Sequence, residues 1–228
     1  AFMTKLSHAR PFANTIVRIG ALPNRQTMAI ISDMTQPLGE AIGNSLEVVE
    51  AIETLQGKGP ADLLEMCYVL GSQMVVLAKK APDLDQARKL LEEALESGKA
   101  LAKFREMIRN QGGDDTVVDH PQSLLTAKYE QPFLAKKSGY VTKLVANELG
   151  IAAMLLGAGR RTKEEEIDYA VGLKLHKKVG DKVTEGEPLL TIYSNDLELN
   201  EVERILEKNI EIGEVAVELP LIHEIITE

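Results

Sequence analysis

The 228-residue sequence is poor in the features that mark several large protein classes. It has one cysteine, Cys67, so no intrachain disulfide can form, and a reducing, cytoplasmic setting is expected. No apolar stretch reaches the ~18 residues that a membrane-crossing helix needs, and no secretory signal opens the chain. Basic residues are outnumbered, 26 against 35 acidic, giving a net charge of -9. That balance disfavours nucleic-acid and anionic-membrane partners, which need a basic footprint. The four histidines, His8, His120, His176 and His223, stand at no metal-site spacing. There is no Gly-x-Ser-x-Gly elbow. Gly157-Ala158-Gly159-Arg160-Arg161 lacks the Gly-Lys-Ser/Thr end of a P-loop and reads as a tight turn with surface arginines.

What is present is a sequence with 44% hydrophobic and 27% charged residues, ample for a folded core. Helix-like spacing runs from about Met3 to Ile19, with Pro11 expected to break or kink it and Gly20 to end it. Thr27–Ser32 is a short continuous apolar run, expected to be a buried strand of the parallel type. The loop Asp33–Gly39 and a helix over Asn44–Leu55 complete a strand-loop-helix unit. In open α/β sheets ligands sit at the carboxyl ends of strands, so the Asp33 loop is the natural place for function. Asp33 itself suits either a ligand group or a loop cap.

Helices are expected over Ala61–Lys80, Asp83–Glu96 with Asp83 as cap, and Gly98–Asn110. Cys67 lies in the apolar run Leu63–Leu70 and reads as a small buried hydrophobe. Gly112-Gly113-Asp114-Asp115 ends the helical region as a turn-rich linker, and from about Tyr129 the texture changes to short strands separated by glycine and charged turns, among them 139–145 and 170–175. Thr162 is expected to cap a short helix start over 162–166, and a further helix to run from about Asn200 to Lys208. A domain boundary falls between Gln111 and Lys128, dividing the chain into 1–120 and 121–228. The run Val179-Gly180-Asp181-Lys182-Val183 through Ile192 pairs two turns with two strands and resembles half of a lipoyl/biotinyl hammerhead. The carrier tripeptides Asp-Lys-Ala and Met-Lys-Met are absent, so the hammerhead reads as structural; a non-catalytic carrier or binding module is the alternative.

Several segments together are similar to one family. They are Ala1-Phe2-Met3, Met28–Ala51, Leu70–Val75, Asn110–Asp114, Ser138–Val141, Met154–Arg160 and Ala170–Asn195. In collinear order over the whole chain they resemble bacterial pyrimidine-nucleoside phosphorylases, relatives of thymidine phosphorylase. The resemblance implies part of a large α/β phosphorylase domain, followed by a C-terminal α+β hammerhead-like domain. It implies a homodimer that splits uridine, deoxyuridine or thymidine with phosphate, giving free base and a pentose 1-phosphate. An anthranilate phosphoribosyltransferase-like enzyme is a second relative, disfavoured because that branch lacks the region after Tyr129.

The family's Lys-His-Ser-Thr-Gly-Gly phosphate motif and its base-gripping Arg, Ser and Lys are not in this sequence. The chain is expected to begin mid-domain and to be inactive alone. The resemblance further implies a monovalent cation, potassium, held by the backbone carbonyls of Leu38 and Ala41 and the carboxylate of Glu50, with no organic cofactor. Phe2 matches an apolar residue that packs on the pyrimidine. Glu40 stands where the family commonly has an aromatic residue.

Overall fold

A computed structural model of the chain describes Met3, residues 5–23 and residues 25–227. Seven α-helices and nine strands lie among these residues, α2 to α5 in one consecutive run, and every ladder between strands is antiparallel.

Helix α1 (Leu6–Ala21) turns Ala13 and Val17 onto β1 (Ala29–Ser32) and β9 (Ile222–Ile226), where they pack with Ile31 and Ile226. Pro11 does not break it. The bond lost to the proline belongs to the carbonyl of exposed Ser7, which water can satisfy. Gly20 does not end the helix. Its missing side chain makes room for Thr27, whose Oγ1 would lie 1.9 Å from a Cβ there. Strand β1 pairs antiparallel with β9, not parallel as expected. An apolar run reports that a strand is covered, not which way its neighbour runs, and here the neighbour comes from the far end of the sequence.

Helix α2 (Asn44–Leu55) has the bounds its three- and four-residue apolar spacing predicts, and buries Leu46, Val49 and Ile52. Helices α3 (Ala61–Leu77), α4 (Leu84–Glu96) and α5 (Lys99–Asn110) follow. Asp83 caps α4 as expected, its carboxylate accepting from Gln86 N at 2.8 Å. Gly71 lets α3 and α4 approach, since a Cβ there would lie 2.8 Å from Leu91 Cδ1. Cys67 is exposed, contrary to the buried position expected. Helix α3 is apolar on more than one side, and Cys67, Leu70 and Met74 share a side left open. Packing around the sulfur still pushes the Cys67 thiol up.

Between α3 and α4, Arg88 grips Glu65 through its two terminal guanidinium nitrogens at 2.8 and 2.6 Å. It also reaches Glu92 at 2.9 Å and lies 4.7 Å over the Tyr68 ring. The hydrogen bonds from Arg88 hold the Glu65 carboxyl below its ordinary value of 4.5. A depressed acid stabilises the fold above its unfolded pKa, and this is lost as pH falls through the folded one. Carboxyl titration by NMR should therefore place Glu65 below 4.5 in the native chain, and Arg88→Met should return it towards 4.5. An unchanged midpoint in the variant would remove Arg88 as the cause.

The remaining strands build two further sheets, ordered β2-β5-β7-β3 and β6-β4-β8. They are β2 (Ala41–Ile42), β3 (Tyr129–Leu134), β4 (Gly139–Leu144), β5 (Gly172–Leu175), β6 (Lys182–Val183), β7 (Pro188–Ser194) and β8 (Ile210–Gly213). With α6 (Ala146–Ala153) and α7 (Asn200–Asn209) they enclose the largest core, which includes Val141, Leu144, Leu149, Leu173, Leu190 and Leu206. A π-turn over Met154–Ala158 continues α6, with Gly157 at φ 110° and Arg160 and Arg161 exposed beyond it. Residues 162–166 form no helix. Glu165 instead reaches back to accept from Arg161 N at 2.8 Å, closing a turn. Among the described residues no helix is long and apolar enough to cross a membrane.

Strand β2 carries the segment after the Asp33 loop into the β5 sheet. The crossing is close: a Cβ on Gly172 would lie 2.3 Å from Ile42 O, and one on Gly43 2.7 Å from Val171 O.

Candidate functional site

The segment from Asp33 to Glu40, ahead of β2, is irregular, so its backbone groups must find most of their partners outside any ladder. They find them in side chains from four different parts of the chain. Asp33 acts as a loop cap: Oδ1 accepts from Thr35 N at 2.8 Å and Oδ2 from Thr35 Oγ1 at 3.0 Å. His223 Nε2 lies 3.0 Å from the same Oδ2, tying the loop to β9. That pairing spans 190 residues and has no signature in local sequence. His176 is likewise structural, with Nε2 at 2.8 Å from Thr191 Oγ1.

Further along, Gln36 Oε1 accepts from Val179 N at 2.9 Å. The Lys178 ammonium donates to the carbonyls of Pro37 and Gly39, the latter at 2.6 Å, and to Asp62 Oδ2 at 2.8 Å. Asp62 Oδ2 also accepts from Gly39 N at 3.2 Å. From the opposite side, Glu50 Oε1 accepts from Glu40 N at 2.7 Å and from Ala41 N at 2.9 Å. Glu50 stands on α2 one residue from buried Val49 and is itself half-buried. Gly39 is required where it is. Its φ is 69°, and a Cβ would lie 2.4 Å from Glu50 Oε2.

The structure thus brings Leu38, Ala41 and Glu50 together. All three line one cleft of 440 Å³, with Ile42, Glu47 and Ala146 beside them. Among the described residues no donor reaches the Leu38 carbonyl or Glu50 Oε2. The Ala41 carbonyl is placed by ladder geometry. Glu40 O accepts from Leu175 N at 2.8 Å, so the next residue turns its N–H and C=O away from β5, to the side where Glu50 lies. The backbone of Glu40 is fully paired, its N–H with Glu50 Oε1 and its C=O with Leu175 N.

Burial pushes the Glu50 carboxyl above its ordinary value. The two backbone N–H groups oppose this, and the charges of Glu40 and Asp62 add to it. An ionised Glu50 is therefore short of positive charge, and the free oxygens around it are hard donors of the kind that hold small cations. Phe2 lies outside the described residues. Lys182, the nearest approach to a carrier lysine, sits in the β4–β6 ladder opposite Tyr140 rather than at a hairpin tip.

Comparison with known proteins bears on the whole chain. Residues 1–101 match the family described as Glycosyl transferase family, a/b domain, and residues 140–213 match the Pyrimidine nucleoside phosphorylase C-terminal domain. Across all 228 residues the sequence is 58% identical to pyrimidine-nucleoside phosphorylases of Staphylococcus aureus strains RF122 / ET3-1 and USA300. The chain belongs to the pyrimidine-nucleoside phosphorylase family. It spans about half the length, 53%, of the curated relatives it matches. The second matched segment, 140–213, contains Lys178, and the first contains Leu38, Ala41 and Glu50. The candidate site therefore lies where the two matched segments meet.

Proposed function

We propose that the protein carrying this chain catalyses reversible phosphorolysis of pyrimidine nucleosides. Uridine, deoxyuridine or thymidine and phosphate give the free base and (deoxy)ribose 1-phosphate, in nucleoside salvage. The carrying observation is 58% identity over all 228 residues to proteins named pyrimidine-nucleoside phosphorylase. Residues 1–120 are read as part of an α/β catalytic domain and 121–228 as its hammerhead-like C-terminal domain. Strands β3 to β8 closing one core over 129–213, with only β2 added from the first part, support the latter. The reading includes a cytoplasmic homodimer without nucleic-acid or membrane partners, in keeping with the net charge of -9.

In this reading the carbonyls of Leu38 and Ala41 and the carboxylate of Glu50 hold a monovalent cation, potassium, and no organic cofactor takes part. The unused oxygens on one cleft and the charge deficit at Glu50 support it. Bound there, the cation supplies charge that offsets Glu50 and cross-links the loop to α2. Phe2 is proposed to pack on the pyrimidine ring.

The chemistry needs phosphate placed against the anomeric carbon and charge stabilisation of the departing base, so positioned donors dominate. No Lys-His-Ser-Thr-Gly-Gly run occurs within these 228 residues. Uridine with phosphate should therefore yield uracil with the full-length protein and none with the 228-residue chain alone. Uracil released by the isolated chain would overturn the placement of the phosphate and base contacts outside it. Failure of the full-length protein on all three nucleosides would overturn the activity.

A further inference from the structure

Lys178 lies in Lys177-Lys178, a pair that reads as solvated surface charge, yet its side chain is only 19% exposed. Its three ammonium protons have three acceptors: the Pro37 and Gly39 carbonyls and Asp62 Oδ2. Its backbone is fixed as well. Lys178 N donates to Asp181 Oδ2 at 2.7 Å and Val179 N to Gln36 Oε1 at 2.9 Å. The loop is thus held on two sides by opposite chemistry. Lys178 takes the carbonyls of residues 37 and 39, while Asp62 and Glu50 take the N–H groups of residues 39, 40 and 41. What this leaves over is the carbonyl of residue 38 between two clamped neighbours, and that of residue 41 just beyond.

We propose that Lys178 is a positioning residue for the oxygen site. By occupying the Pro37 and Gly39 carbonyls and neutralising Asp62, it leaves Leu38 and Ala41 as the oxygens open to a cation beside Glu50. The proposal rests on the cation reading above. It makes the region after Tyr129 a working part of the site, because the clamp comes from the β5–β6 connection and not from the loop's own neighbourhood. Lys178 touches no substrate in this account. It excludes its own two carbonyls from cation binding and keeps the loop from collapsing onto Glu50.

The test uses the full-length protein with Lys178→Met, which keeps the stem and removes the charge. Asp62→Asn serves as a milder second variant, and Lys137→Met as an exposed control. Two readouts are taken: amide hydrogen exchange over residues 39–41, and the thermal midpoint in potassium chloride against choline chloride. Lys178→Met should speed exchange at Glu40 and Ala41 at least tenfold and raise the half-saturating potassium concentration at least tenfold. Asp62→Asn should move both in the same sense by less, and Lys137→Met should move neither. Unchanged exchange in both Lys178→Met and Asp62→Asn would overturn the role of Lys178 and leave the cation reading standing. A native protein whose midpoint is the same in potassium and choline would overturn the cation reading itself, whatever the exchange rates show.

Discussion

Gly172→Ala should lower the thermal midpoint of the chain by about 6–12 °C, the shift that roughly 3 kcal/mol produces at this size. The new methyl carbon would lie 2.3 Å from Ile42 O and 3.0 Å from Gly43 Cα. Those are backbone atoms, and neither can swing aside as a side chain could. Relief must come from opening the β2–β5 pair, which holds Ala41 against Lys174 and Ile42 against Leu173. The candidate site loosens with it, because Glu40 O is bonded to Leu175 N on the same strand. Gly150→Ala is the matched control. That glycine is helical with nothing within 4 Å of its added carbon, so alanine there should stabilise by about 0.5–1 kcal/mol. Scanning calorimetry of both variants decides the matter. A Gly172→Ala midpoint within a degree or two of the native chain would show that the crossing yields more readily than its contacts imply.

Glu50 should divide cleanly between two substitutions. Glu50→Ala removes the acceptor of two half-buried N–H groups, those of Glu40 and Ala41. An unsatisfied donor costs about 1–3 kcal/mol, so the chain should lose roughly 2–6 kcal/mol and about 4–24 °C of midpoint. Glu50→Gln keeps a carbonyl oxygen for both bonds and discards only the charge. Its midpoint should stay near the native value in choline chloride, while in the full-length protein the rise produced by potassium should vanish. A native-sized potassium response in Glu50→Gln would remove Glu50 from the cation site. An Ala variant as stable as the Gln variant would mean that the two N–H groups find water instead.

Much of the fold is legible locally. Helix α2 shows in its apolar spacing and in the glycines and proline that follow it, and Asp83 marks the start of α4 because a short carboxylate after a proline has little else to do. What escapes local reading depends on distant partners. The Ala29–Ser32 run is apolar whichever way its neighbour runs, so its composition does not distinguish the antiparallel pairing found from the parallel one expected. Cys67 sits in an apolar run, and only the packing of α3 shows which side of it is covered. Thr162 has the form of a cap, but Glu165 turns back to Arg161 before a helix can form. At the site, Leu38, Ala41 and Glu50 follow from family resemblance, and the structure places them on one cleft. Lys178 carries no signal at all, since a lysine in a Lys-Lys pair 116 residues from Asp62 looks like any solvated charge.

The pairing of β1 with β9 has a consequence for how the chain is made. The Asp33–His223 contact joins residues 190 positions apart. At ribosomal speeds of 5–20 residues per second, β1 emerges roughly 10–40 s before the strand that completes it. During that interval its unpaired edge and the apolar side of α1 have no native cover from β9. A nascent chain in this state is a natural client for a holdase, and a stalled ribosome short of residue 222 would release a species prone to aggregate through that edge.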